Sequence, residues 1–382
     1  MDIYVQKHNE VYNRILCDPG IKEEMSEFFT FDVPNAKWSA KYKSRAWDGK
    51  IRLLNKMSGR IYSGLIDQVK EFAESREYEI EIEESLQEDD FSIEQAREFI
   101  ATLNIPLEVR DYQLEGFVHA VRARRGVLVC PTGGGKSLMM YLLARWYNKK
   151  TLIIVPNIGL VHQFLAEIKG YGYTDDLHGV SVNERMDSTS NLVITTWQSL
   201  DARAPPEEWF SQFSVVLGDE VHQFKAKSLI KIMESFTSAE YKFGFTGSLD
   251  GLATNKMVIE GLFGACKTIA TTHQLINENY LSKFKIKCVE LKHPSAVCEA
   301  RSKGKWDYKK EISYLIGNAG RNAFIRNLAL NLEGNTLVLF QYVEKHGKEL
   351  FNMIKDNSIK TYYVHGGVDG EKGTDNNSGI LI

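Results

Sequence analysis

Short apolar runs recur through the middle of the chain, at 127–129, 152–155, 192–195, 215–217 and 243–246. Each is too short for a helix, and together they read as buried strands. The stretches between them are long enough to hold helices, and that alternation predicts a parallel α/β sheet with right-handed crossovers. Residues 138–147 are apolar on all sides, as in a buried helix. Ahead of the first run, a helix places Leu114, Phe117, Val118 and Val121 on one face. It gathers Arg122, Arg124 and Arg125 in its last turn and is expected to stop at Gly126. Farther on, 336–340 reads as a strand, 345–355 as a helix, and 379–382 as the start of another strand.

The first run leads into Cys130-Pro131-Thr132-Gly133-Gly134-Gly135-Lys136-Ser137. Gly133, Gly134 and Gly135 leave the backbone free to bend around phosphates, so that the loop from Thr132 onward presents N–H groups at the start of a helix. Lys136 supplies a charge for the β- and γ-phosphates, and the Ser137 hydroxyl is placed to ligate Mg²⁺. The usual pattern begins with Gly or Ala, where this chain has Cys130, a thiol small enough to fit. Strand, glycine-rich turn and buried helix together separate a phosphate loop from an ordinary glycine turn.

Asp219, Glu220 and His222 follow the run at 215–217, at the carboxyl end of a predicted strand, where ligands sit in open α/β sheets. Asp219 is expected to hold Mg²⁺ through water and Glu220 to orient and deprotonate the attacking water. His222 is expected to sense the γ-phosphate. An Asp-Glu pair alone reads as a solvated turn; behind a phosphate loop it reads as the hydrolytic pair of an ATPase.

A chain of 382 residues with 43% hydrophobic content can fill two or three domain cores. The net charge of −3 says little as a total, but its distribution is uneven. Between residues 36 and 60, eight basic residues, Lys37, Lys41, Lys43, Arg45, Lys50, Arg52, Lys56 and Arg60, stand against the single acid Asp48. Trp38, Tyr42 and Trp47 are interleaved with them, a mixture suited to neutralising phosphates and stacking on unpaired bases. Lys41, Lys43, Arg45 and Trp47 are therefore nucleic-acid candidates, while Ile51, Leu53 and Trp47 have a competing reading as core. Residues 77–98 carry ten acids against Arg97 and read as a solvated linker. The basic stretch 301–310, with Trp306 and Tyr308, reads either as a loop on a nucleic-acid path or as a solvated loop. Five cysteines without paired spacing suggest reduced thiols in a cytoplasmic compartment. The sequence carries neither a signal-peptide layout nor a membrane-length apolar run, so no membrane partner is expected.

Six motifs stand in a telling order: Arg110-Asp111-Tyr112-Gln113, the loop at 130–137, Val155-Pro156-Asn157, Ile194-Thr195-Thr196-Trp197-Gln198, Asp219-Glu220-Val221-His222 and Phe245-Thr246-Gly247-Ser248. The series resembles that of superfamily two helicases. Within them the chain is similar to the phage UvsW type over nearly its whole length, including Trp47-Asp48-Gly49-Lys50-Ile51-Arg52-Leu53, residues 280–287 and Tyr362-Tyr363-Val364-His365-Gly366. The resemblance implies a small α/β nucleic-acid-binding accessory domain at 1–90 and a RecA-like P-loop ATPase domain with a parallel sheet at 91–282. A partial second RecA-like domain would occupy 283–382. It also implies that Gln113 reads the adenine edge, bordered by Arg110 and Tyr112. Pro156, Asn157, Thr195, Thr196, Trp197 and Gln198 fall in segments that touch the nucleic-acid backbone, and Thr246 with Ser248 couples hydrolysis to domain movement.

The implied activity is that of an ATP-dependent DNA helicase and translocase using ATP and Mg²⁺. Its substrates would be branched or single-stranded DNA or RNA–DNA hybrids, in recombination and replication-fork repair. The family's later second-domain motifs, which supply arginine fingers, are not found, so a truncated or split member is expected. Another polypeptide would supply the remaining half-domain, and the apolar end would be poorly protected unless another chain or segment covers it. The alternative is an ATP-binding DNA-binding or annealing module without full motor activity. A restriction-system motor would need a nuclease motif, and none is seen.

Overall fold

Burial on both faces is what turns the apolar runs into neighbouring strands of one parallel sheet. The computed structural model describes residues 1–180, 189–224, 226–249, 253–304, 307–355, 359–365 and 380–381. The chain divides into two compact units, Met1–Lys283 and Phe284–Ile382. Among the described residues of the first unit, seven parallel strands lie in the order Leu177–Val180, Leu192–Thr196, Thr151–Val155, Val215–Asp219, Tyr241–Thr246, Arg125–Val129 and Cys266–Thr268. The four strands Leu192–Thr196, Thr151–Val155, Val215–Asp219 and Tyr241–Thr246 are buried at every residue. The strands at the two edges read Leu-His-Gly-Val and Cys-Lys-Thr, too polar to stand out as apolar runs.

Strand order carries a consequence for the site. Tyr241–Thr246 lies between the strand that feeds the phosphate loop and the strand that carries Asp219. Thr246 pairs with Val129 on one side, and Phe245 pairs with Asp219 on the other. Three motifs far apart in sequence therefore end at the same carboxyl edge of the sheet.

The helix before the loop, Asp111–Ala123, does not run to Gly126 as expected. It ends at Arg124, which adopts the left-handed conformation at φ 58° and donates its N–H to the Ala120 carbonyl at 3.0 Å. A left-handed arginine is unusual. Here a two-pronged pair to Asp89, at 2.9 and 2.5 Å, holds it in place.

That pair also corrects the reading of 77–98 as a solvated linker. Ile80–Ile82 is a strand paired parallel to Ile3–Lys7, and Glu83 accepts the Lys7 N–H at 3.0 Å. Ile93–Thr102 is a helix opened by a reciprocal capping box between Ser92 and Gln95. The alternation of Ile80 and Ile82 with acids was a strand signal that the charge count concealed.

The N-terminal part forms a five-stranded sheet, in the order Leu54–Asn55, Arg60–Tyr62, Tyr12–Cys17, Ile3–Lys7 and Ile80–Ile82, over a core that includes Val5, Ile15, Phe29 and Phe72. It is docked on the larger sheet through polar contacts. Tyr12 and Tyr62 both donate to the Glu234 carboxylate, at 2.6 and 2.7 Å. Gly64 lies so close to the Glu260 carbonyl and the Gly264 amide that a side chain there would collide with backbone. Arg125 and Lys242 are buried around Glu10, whose carboxylate meets Arg125 at 3.2 Å and whose carbonyl accepts from Lys242 at 2.9 Å.

In the second unit, helices Ser295–Ser302, Tyr308–Ile316, Ala319–Asn331 and Lys348–Ile354 accompany a three-stranded parallel sheet in the order Thr336–Leu337, Ile380–Leu381, Thr361–Tyr362. The expected strand at 336–340 is only Thr336–Leu337, and the expected helix at 345–355 opens as a wide turn at Val343–Gly347. Ile380 is buried between two paired strands, so at this residue segments of the same unit supply the cover that the apolar end needs. Within the stretch 301–310, residues 301–302 end one helix and 308–310 begin the next, which Asp307 caps. Lys305, Trp306, Gly366, Gly379 and Ile382 lie outside the described residues. Among the described residues, no helix is long and apolar enough to cross a membrane.

Candidate nucleotide and motor site

The loop at 130–137 leaves the sheet where the Cys130 N–H donates to the Thr246 carbonyl at 2.9 Å. Gly133 and Gly135 have φ of 79° and 83°, a region that favours glycine, and Gly135 caps the helix Lys136–Tyr147. Gly134 faces the Cys130 sulfur so closely that any side chain there would overlap it. The departure from the usual motif at Cys130 is thus absorbed by the glycine opposite. Burial pushes the Cys130 thiol up to about 11, which keeps it inert. Thr132 is exposed on the loop.

Arg110, Tyr112 and Gln113 brace this loop from the start of the preceding helix. The Tyr112 hydroxyl and the Gln113 amide both donate to the Gly134 carbonyl, at 2.9 and 3.0 Å. Gln113 Oε1 accepts the Arg110 N–H at 3.0 Å, and Arg110 donates to the Tyr112 hydroxyl at 2.9 Å. Gln113 is only 3% exposed, so its amide fixes the shape of the loop at the edge of the adjoining cleft.

Across the edge of the sheet a continuous polar line links the loop to the motifs at 219–222 and 245–248. Lys136 Nζ lies 3.3 Å from Glu220 Oε1, and Glu220 Oε2 lies 3.2 Å from His222 Nδ1. His222 Nδ1 is 3.0 Å from Thr246 Oγ1, which donates its own proton to the Ser248 carbonyl at 2.8 Å. With the hydroxyl proton used there, His222 Nδ1 carries the hydrogen of the bond to Thr246. Glu220 sits in the left-handed region at φ 50°, a backbone conformation that concentrates at functional sites.

Asp219 is 6% exposed, and its Oδ1 has no hydrogen-bond partner. Burial first, then the charge of Glu220, pushes its carboxyl up to about 6. A buried carboxylate oxygen without a donor fits a cation. Ser137 Oγ, beside the loop, is hydrogen-bonded to the Tyr171 hydroxyl at 3.0 Å. Among the described residues, no cluster of three or more His, Cys, Asp or Glu could cage a metal. Asp219 and Ser137 suit Mg²⁺, which is commonly held by few protein ligands together with substrate phosphates and water.

The expected nucleic-acid segments divide by exposure. Asn157 is exposed and caps the helix Ile158–Gly170 by accepting the Leu160 N–H at 3.1 Å. Pro156 lies beside it, its carbonyl accepting from Gln198 at 2.9 Å. Thr195 and Thr196 are buried, the first bonded to the Val180 carbonyl and the second capping Trp197–Arg203. Trp197 packs half-buried against the core. In the N-terminal part, Lys41 and Lys43 lie on the short helix Ala40–Lys43. Lys37, Tyr42, Lys43, Arg45, Trp47 and Asp48 line an open cleft of about 560 Å³. Trp47 is half-buried and donates to the Lys50 carbonyl at 2.8 Å, whereas Trp38 is 68% exposed beneath the Lys37 and Lys43 ammonium groups. Tyr171 and Tyr280 line the cleft beside the loop; sequence reasoning gave neither a role, although Tyr280 opens the 280–287 stretch that carries the resemblance.

A parallel sheet with this loop, this acidic pair and the strand Tyr241–Thr246 between them defines a superfamily two ATP-dependent nucleic-acid motor. The chain is 32% identical over 407 aligned residues to the ATP-dependent DNA helicase uvsW of Enterobacteria phage T4, spanning all of this chain and 80% of that protein. It belongs to the UvsW DNA helicase family. The crystal structure of T4 UvsW superposes with a TM-score of 0.66 at 30% identity, over 100% of this chain and 79% of the other. Residues 2–83 match the family described as DNA helicase UvsW, N-terminal, and residues 93–250 match the Type III restriction enzyme, res subunit, family. A more distant relative, the DNA 3'-5' translocase XPB2 of Sulfurisphaera tokodaii, is 29% identical over 216 residues, 55% of this chain and 45% of its own length.

Proposed function

We propose that this DNA helicase acts as a translocase on branched DNA or R-loops during recombination and replication-fork repair, in the cytoplasm of the cell that carries it. The observation that carries the motor part of the reading is the unbroken line Lys136–Glu220–His222–Thr246 across the carboxyl edge of the sheet. It joins the phosphate loop to the element beyond Thr246 without a gap.

In this reading, nucleotide phosphates draw Lys136 away from Glu220. The released carboxylate then accepts a proton from the attacking water; Ser137, and Asp219 through water, would hold Mg²⁺, which would neutralise charge on the phosphates. His222 follows Glu220 and transmits its position to Thr246 and Ser248. Residues 1–90 serve as the accessory nucleic-acid domain, 91–282 as the ATPase domain and 283–382 as part of a second RecA-like domain. The basic and aromatic cleft lined by Lys43, Arg45 and Trp47 supports DNA binding by the first of these, with Lys41 exposed on the adjoining short helix, and exposed Asn157 supports a backbone contact by the second.

The test is ATP turnover by the purified chain with no DNA, single-stranded DNA, a forked duplex and an R-loop, together with strand displacement on the last two. Stimulation and displacement favouring branched substrates are expected. ATP binding without DNA-stimulated turnover would instead favour an ATP-binding DNA or annealing module.

A further inference from the structure

We propose that Tyr171 is a positioning residue for Ser137: its hydroxyl takes the Ser137 proton and so leaves the lone pairs of the Ser137 oxygen to Mg²⁺. The proposal deepens the reading of Ser137 as a metal ligand and rests on it.

Ser137 Oγ and the Tyr171 hydroxyl, 34 positions apart in the chain, lie 3.0 Å from each other. A serine hydroxyl has one proton and two lone pairs, and it can offer both lone pairs to a cation only when the proton has an acceptor elsewhere. Among the described residues, the partner of this hydroxyl is Tyr171, while Asp219 Oδ1 is left without one. Two oxygens at the carboxyl edge of the sheet are therefore kept for a cation, the buried carboxylate by having no donor and the serine by having its proton drawn aside. Burial raises the ionisation of Tyr171, so the phenol stays neutral, and its own proton is left for water in the cleft that it lines.

A second element delivers this side chain. The helix Ile158–Gly170 closes just before it: the Tyr171 N–H donates to the Glu167 carbonyl at 2.9 Å. Gly172, at φ 93°, then turns the chain so that the Tyr173 N–H donates to the Ile168 carbonyl at 3.2 Å. The Tyr171 ring packs on the Tyr141 ring with centroids 5.5 Å apart. Tyr141 stands one turn after Ser137 on the helix Lys136–Tyr147, so ring and hydroxyl grip the same face of that helix. The two contacts are separable, because phenylalanine at 171 keeps the first and loses the second.

The experiment measures binding of a fluorescent, non-hydrolysable ATP analogue, by anisotropy, with Mg²⁺ and in EDTA. The proteins are wild type, Tyr171→Phe, Ser137→Ala and the double variant, with circular dichroism as the folding control. Tyr171→Phe is expected to weaken binding with Mg²⁺ by about fivefold, the order of one hydrogen bond removed, and to leave binding in EDTA unchanged. Ser137→Ala should lose at least as much, again only with Mg²⁺, and adding Tyr171→Phe to it should cost nothing further. Tyr171→Phe binding as tightly as wild type or tighter with Mg²⁺, losing equally in EDTA, or adding its full loss to that of Ser137→Ala would overturn the positioning role while leaving Ser137 a ligand. Ser137→Ala binding as wild type does under both conditions would overturn the metal reading of Ser137 itself.

Discussion

His222 and Thr246, 24 positions apart in the chain, meet through Nδ1 and Oγ1 at 3.0 Å. The contact exists because Tyr241–Thr246 is inserted beside Val215–Asp219, bringing the end of one motif against the turn of another. Thr246 in turn donates to the Ser248 carbonyl, so the imidazole is joined by hydrogen bonds to the chain beyond the strand.

Thr246→Val keeps the shape of the side chain and removes the hydroxyl's hydrogen bonds to His222 and to the carbonyl and amide of Ser248. It should cost about 1 kcal/mol in stability for each bond removed and leave nucleotide affinity near wild type. The expected defect is in coupling, read as fewer base pairs displaced per ATP hydrolysed. An unchanged ratio would mean that the His222–Thr246 bond is only structural.

Glu220→Gln retains size and loses the base. Turnover should fall by roughly 10² to 10⁴, with Mg²⁺-ATP still bound. Lys136→Ala should show the opposite pattern, with weakened binding, because the charge facing the phosphates is gone. Single-turnover kinetics beside equilibrium binding separate the two; a Glu220→Gln protein with normal turnover would remove Glu220 from the chemistry.

Glu10 is the acidic partner at the interface that buries Arg125 and Lys242, and burial pulls the ionisation of both cations downward. Glu10→Ala should therefore destabilise the protein by about 3 to 5 kcal/mol, the usual cost of stranding buried charge. Lys242→Met should cost less, since it removes a charge rather than a partner. Chemical denaturation curves of both variants check the order, and the reverse ranking would refute this account of the interface.

Replacing Lys41, Lys43 and Arg45 with Ala should weaken DNA binding and reduce the log–log salt slope by about 2 to 3, near one unit for each phosphate that is no longer neutralised. ATP binding should persist, because the patch and the phosphate loop are separate. A folded variant with an unchanged slope would assign these residues to ordinary surface charge.

What the sequence by itself determined is local. The glycines at 133–135, the lysine and serine after them, and an acidic pair closing an apolar run are each defined by the backbone freedom, charge or polarity of neighbouring residues, so they are legible in order. The inner strands were legible for the same reason, since burial on both faces demands unbroken hydrophobicity. The polar edge strands Leu177–Val180 and Cys266–Thr268 were not, and neither was the folded state of 77–98, where cross-strand partners outweigh local charge. Arg124 ended its helix two residues ahead of the glycine expected to do so, because Asp89, distant in sequence, holds it. Only the tertiary structure decided that Thr246 lies between the loop and the acidic pair, that Glu10 offsets two buried cations, and that Tyr280 faces Arg110. Those relationships depend on strand order and domain docking, which arise from the sum of many weak long-range interactions and leave no signature in any short window of sequence.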